Sequence, residues 1–165
     1  MSEPAFNRIG RLFFGSLLIV SALTKLVDLT GFVSVVSTYG LLPDWGPLPM
    51  ALASVAGEAT LGLWLWSGRR APVSSLLLVV LLVLYCSWLS FAYLDGRRLD
   101  NAGTFGTVIP LRVSLGLVLC QLGLLAAAFF LWSSVTAHQL RQQLAVAAND
   151  LRGHGISTKP PTGTS

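Results

Sequence analysis

Apolar residues run along the chain in four long blocks separated by polar breaks. A helix that crosses a bilayer needs about twenty mostly apolar residues. The first block holds thirteen uncharged residues from Leu12 to Thr24, and it reaches full length only when Arg11 and Lys25 extend their charged ends toward the two interfaces. The others need less help. Trp45 to Gly68 contains one charge, Glu58, while Ala71 to Leu94 and Val113 to Ala137 contain none. The pattern predicts an all-α fold, a four-helix transmembrane bundle with spans at about residues 9–28, 47–68, 71–94 and 112–137.

The connections are patterned too. After the first block, Gly31, Gly40, Pro43, Gly46, Pro47 and Pro49 are too dense for a spanning helix. Phe32, Val33, Val35, Val36, Tyr39 and Leu42 nevertheless recur at helical spacing, which predicts a short helix in the outer interface or folded onto the bundle. Small residues at Ala53, Gly57 and Gly62 in span two permit close approach of a neighbouring helix. Beyond span four, Leu140, Leu144, Ala147 and Leu151 fall at intervals of three or four and predict a helical extension to about residue 152, stopping near Gly153. Residues 1–153 thus form a single membrane domain, and the apolar-poor segment 154–165 reads as a disordered tail.

Composition agrees with the pattern. The 165 residues are 53% hydrophobic and 11% charged, with a mean hydropathy of +0.70, whereas soluble domains carry roughly a quarter charged residues. The basic residues give an orientation. Arg8, Arg11, Arg69, Arg70, Arg141, Arg152 and Lys159 fall on one side, against Lys25, Arg97, Arg98 and Arg112 on the other. By the positive-inside rule both termini are expected to face the cytoplasm, and residues 28–46 and 95–111 to face outward. Arg8 and Arg11 before an apolar run also suit a signal peptide, but Ser21-Ala22-Leu23-Thr24-Lys25 is a mediocre cleavage site, so an uncleaved anchor is expected. The pI near 9.6 then reflects topology and a basic tail, since no aromatic residues interleave with the basic ones as single-strand nucleic-acid binders require.

Few residues in the spans carry chemistry. Cys86 and Cys120 belong to no C-x-C or C-x-x-C pair, and a thiol in hydrocarbon stays protonated and inert, so both read as small packing residues. Glu58 lies about 15 Å from either interface at the helical rise, where a charge costs about 2.5 to 3.5 kcal/mol on insertion scales. It must be paired, protonated or facing a polar cavity. Ser21, Thr24, Lys25 and Asp28 form a polar stripe at the outer end of span one. Lys25 can snorkel to water, the commoner fate, or turn inward to Ser54 and Glu58, which share a face at i and i+4. Arg112 could join such a site or serve as an interfacial anchor. Both histidines, His138 and His154, lie beyond the spans, and the sequence has no metal-spaced cluster and no phosphate loop.

Gly10 and Arg11, then Ser21, Lys25 and Leu26, then Phe32, Tyr39, Leu41, Leu42 and Pro43, then Glu58, Gly62 and Gly68 together resemble the MauE and wider DoxX-like four-helix bacterial membrane proteins, over about residues 8 to 110. In MauE-like proteins the outward loop before the last span typically carries a C-x-C-F-G motif. Here Asn101, Ala102, Gly103, Thr104, Phe105 and Gly106 keep the phenylalanine and glycine, while Ala102 or Asn101 and Thr104 stand where the cysteines are expected. The family is implicated in disulfide-dependent maturation of a periplasmic enzyme, or in thiosulfate and quinone redox complexes. Thiol exchange needs a thiolate, which this loop lacks. The resemblance therefore implies first a non-catalytic accessory subunit of a redox or electron-transfer membrane complex. A thiol-disulfide or quinone-linked oxidoreductase is the alternative, with quinone as the cofactor left open. A third reading is a small-molecule or proton-handling bundle using Lys25 and Glu58. Four short helices without inverted repeats or broken spans argue against a conventional secondary transporter.

Overall fold

The computed structural model describes residues 4–95, 101–108 and 111–155, with side chains to residue 150. Five helices follow in order: α1 (Ala5–Val27), α2 (Leu29–Thr38), α3 (Pro47–Ser67), α4 (Ala71–Leu94) and α5 (Leu115–Gly155). No strand occurs among the described residues. Four of the helices are long and apolar enough to cross a membrane. At 1.5 Å per residue, α1, α3 and α4 each measure about 30 to 36 Å, matching the hydrocarbon thickness of about 30 Å.

Each helix boundary has a local cause. Pro47 and Pro72 stand in the first turns of α3 and α4, where a missing N–H costs nothing. Span four was expected to open with Arg112, but α5 begins at Leu115 because the Ser114 hydroxyl accepts from the Leu117 N–H at 3.3 Å and caps the helix. At its other end α5 continues through Gly153 to Gly155, for a glycine weakens a helix by about 1 kcal/mol without forcing it to stop. Arg97 and Arg98 of the orientation argument, and residues 156–165 of the expected tail, lie outside the described residues.

The bundle is assembled mainly from two helix pairs, α1 with α3 and α4 with α5. Gly15 and Gly62 set the first. A Cβ on Gly15 would stand 2.9 Å from the Gly62 carbonyl oxygen, and one on Gly62 would stand 3.0 Å from that of Gly15, so any side chain at either position would drive the backbones apart. Gly57, by contrast, meets nothing within 4 Å. Phe14, Leu18, Leu61, Leu65, Leu78 and Leu131 form the interior between the pairs. The short α2 folds onto α3, burying Phe32 and Val36 against Ala51. The opposite face of α4 exposes Val73, Leu77, Val80 and Phe91. Such a surface fits lipid and not water.

Candidate functional site

The polar stripe of α1 turns inward. Phe14, Leu18, Ser21 and Lys25 repeat on one buried face of the helix, and that periodicity carries Lys25 into the bundle, where it is 1% exposed. Its Nζ forms an ion pair with Glu58 Oε1 and lies 3.4 Å from both Ser54 Oγ and Tyr85 OH. The ammonium also stands 5.1 Å from the centre of the Phe32 ring and 5.2 Å from that of Tyr85, close enough for cation–π attraction. Glu58 is fully buried. Its Oε1 accepts from Lys25 and from the Tyr85 hydroxyl, which is 3.0 Å from Ser54 Oγ, while Oε2 has no hydrogen-bond partner. Three helices thus contribute to one neutralised cluster: Lys25 from α1, Ser54 and Glu58 from α3, Tyr85 from α4.

A loop closes over this cluster. Asn101 shapes it internally, donating from Nδ2 to the Gly106 carbonyl at 2.8 Å and accepting from the Gly103 N–H at 2.9 Å. Three side chains then tie it down. Ser21 Oγ donates to the Thr104 carbonyl at 2.9 Å, Tyr39 OH donates to the Ala102 carbonyl at 2.8 Å, and Thr107 Oγ1 donates to Asp28 Oδ2. Gly106, at φ +64°, rests on the α1 backbone, where a Cβ would come 3.1 Å from Lys25 Cα. A side chain there would meet both left-handed strain and a clash. Asp28 also caps α2 by accepting from the Gly31 N–H at 2.9 Å. The Thr107 hydroxyl and that N–H hold its carboxyl below the ordinary carboxylate range. Burial pushes the Tyr39 phenol upward, so it stays a donor to the loop at any moderate pH.

Between the loop and the helices lies a cavity of about 430 Å³. Val36, Leu84, Trp88 and Leu89 give it apolar walls, and Lys25, Ser54, Tyr85 and Gln121 place polar groups on it. Ala102, Gly103 and Thr104 form its loop side. Its size lies within the range of about 300 to 1,000 Å³ typical of small-molecule sites. Glu58 does not line it and stands behind Lys25 and Tyr85.

Of the residues singled out in the sequence, the fold brings together Ser21, Lys25, Ser54, Glu58 and the loop from Asn101 to Gly106. Arg112 is exposed and does not line the cavity. Lys25 takes the inward course and not the commoner snorkelling one, because Glu58 and three hydroxyl or ring partners replace the water it gives up. Cys86 is buried, Cys120 exposed, both are free thiols, and neither lines the cavity. Sequence reasoning missed Tyr85 and passed over Gln121. The signal for Tyr85 was available, since a phenol inside an uncharged span must find a partner for its hydroxyl.

Among the described residues no group of three or more His, Cys, Asp or Glu converges as a metal site would require. No curated protein and no solved structure shows a match to the chain. The family described as methylamine utilisation protein MauE matches residues 3–149, beyond the stretch that carried the resemblance. The four apolar helices suit a membrane protein of that kind, and with nearly its whole length matched the chain belongs to the MauE family.

Proposed function

We propose that this protein is a non-catalytic accessory subunit of a redox or electron-transfer membrane complex, set in a bacterial inner membrane with both termini in the cytoplasm. One observation carries the reading. The loop is held over the Lys25–Glu58 cluster by Ser21, Tyr39 and Asp28, yet Ala102 or Asn101 and Thr104, at the places where the resemblance expects cysteines, have no thiol to offer. A fold that keeps the loop's seat without its reactive groups supports a role in holding or stabilising a partner and not in thiol exchange. Cys86 and Cys120, one buried and one exposed, give the thiol-disulfide alternative little support. The test is purification of the tagged chain from native membranes in mild detergent. A stoichiometric membrane or periplasmic redox partner is expected, whose activity survives replacement of both cysteines by alanine. Recovery of the chain alone, or loss of partner activity at normal accumulation in the Cys86→Ala, Cys120→Ala variant, would contradict the reading.

A second reading, a bundle that takes up a small apolar molecule or handles a proton through Lys25 and Glu58, draws support from the 430 Å³ cavity. It predicts that native mass spectrometry of the purified chain finds a bound small molecule that Trp88→Ala releases.

A further inference from the structure

The loop covers the water side of the 430 Å³ cavity, where Ser21 and Tyr39 hold the Thr104 and Ala102 carbonyls in place. The most exposed lining residues lie elsewhere: Met50 and Ala53 on α3, and Leu84 on α4, which is 60% exposed. They mark a mouth in the seam between α3 and α4, which falls between the two main helix pairs and within neither. At the helical rise Leu84 stands about 15 Å before the end of α4. The mouth therefore opens into hydrocarbon, and whatever enters by it comes from the lipid phase.

One lining group plays no part in the Lys25–Glu58 cluster. Gln121 of α5 is 6% exposed, lies within a span, and makes no hydrogen bond to any described residue. A primary amide carries two N–H donors and a carbonyl acceptor, and leaving them unmade in an apolar interior is costly. Burial within the single chain keeps the amide from a second copy or a partner's helix packed on the outside. What it can reach is the cavity it lines. The surroundings then select the guest. Glu58 already neutralises the Lys25 ammonium, and no other Asp, Glu, Lys or Arg is among the described residues that line the cavity. A carboxylate could reach Lys25 only by displacing Glu58, and any charged guest would bring an uncompensated charge to membrane depth. The polar part of the wall is rich in donors, because Lys25 has only donors and Gln121 has two, so a neutral acceptor complements it. A volume of 430 Å³ is about fourteen times the ~30 Å³ share of one water molecule, room for a chain or ring system of modest size.

We propose that the cavity takes a neutral, membrane-dissolved molecule with a carbonyl head and an apolar body, which enters sideways between α3 and α4 and is recognised by Gln121. The amide Nε2 donates to the carbonyl oxygen, the body lies against Leu84, Trp88 and Leu89, and Met50 and Ala53 flank the entrance. The proposal rests on the second reading above, uptake of a small molecule, and adds the head group, the residue that reads it and the route of entry. Lys25 and Glu58 stay paired throughout and hold the helices around the guest.

The experiment uses the full chain in phosphatidylcholine nanodiscs. The probes are 2-dodecanone, dodecane and dodecanoate, each with a diazirine in mid-chain, and half-saturation of photolabelling around Leu84 and Trp88 is read by mass spectrometry. Comparing chains for one probe cancels that probe's partition into the bilayer. The ketone is expected to label saturably, and Gln121→Leu to weaken it by about threefold to tenfold, the effect of one hydrogen bond, while leaving dodecane unchanged. Because the amide has no partner in the guest-free protein, Gln121→Leu should keep or raise the unfolding temperature, which a merely structural glutamine would not allow. Ala53→Trp, at the exposed entrance, should suppress labelling of the cavity but not of Val80 on the outer face of α4. Ketone labelling indifferent to Gln121→Leu, with dodecane still saturating, overturns the head-group assignment and leaves the uptake reading standing. Absence of saturable labelling by any probe overturns both. Tightest labelling by dodecanoate overturns the neutral guest, and undiminished labelling in Ala53→Trp overturns the side entrance.

Discussion

A single phenol decides how well the buried pair is satisfied. Glu58 Oε1 takes hydrogen bonds from Lys25 and Tyr85, and the carboxylate's second oxygen has none, so the Tyr85 hydroxyl is half of its support from neutral groups and charges together. Tyr85→Phe keeps the ring over Lys25 and deletes only that donor. Hydrogen bonds to charged groups contribute about 1.5 to 3 kcal/mol, so the variant should lose stability on that order in detergent unfolding, while Tyr93→Phe, an exposed phenol on the same helix, should not. Equal stability of Tyr85→Phe and the unaltered chain would mean that the carboxylate is neutral or otherwise held. At this scale the sequence was only partly legible. The cost of Glu58 in a span could be read directly, and so could its shared face with Ser54. The direction of Lys25 could not, because the three-residue polar stripe around it serves a snorkelling lysine as well as a buried one, and what tips the balance is Tyr85, 60 residues further on, together with Phe32 on the folded-back α2.

Among the elements, the loop over the cavity depends on a half-buried acid at the start of α2. Asp28 receives Thr107 from the loop and Gly31 from its own helix, and these bonds lower its pKa. A lowered folded pKa means that the contact is at full strength above the ordinary carboxylate range and fades as pH falls through the lowered value. A nitroxide placed at the exposed Val108, in a chain lacking Cys86 and Cys120, should stay restricted down through pH 4 and gain mobility only below it. With Asp28→Asn the label should be more mobile at neutral pH and indifferent to acid. Mobility that rises already near pH 6 would exclude Asp28 as the anchor. The presence of four long apolar helices and of the short α2 was legible from periodicity, and the folding of α2 onto Ala51 was one of two readings left open. Which small residues carry the packing was not. Gly62 meets Gly15, whereas Gly57 faces open space, because a glycine's partner depends on helix rotation that a span of near-uniform hydrophobicity does not encode.

For the whole molecule, the fold ties two helix pairs together at both ends: a charged cluster beneath the loop at one, and the Asn7–Ser134 contact between α1 and α5 at the other. The proposed orientation puts these ends on opposite sides of the membrane. Cysteines introduced singly at Thr104 and Thr162 should label with an impermeant reagent from outside and only after lysis, respectively, and labelling of both from one side would contradict it. The account rests most heavily on Lys25 and Glu58 acting as one unit that lets α1 and α3 bury opposite charges deep in a membrane bundle. Removing either partner leaves a buried charge uncompensated, at a cost of about 3 to 5 kcal/mol, while removing both charges together leaves none. The direct measurement is a double-mutant cycle by unfolding in detergent with Glu58→Gln, Lys25→Met and the two combined. The account predicts that each single variant is strongly destabilised and that the double variant recovers much of the loss. Losses that simply add would contradict it.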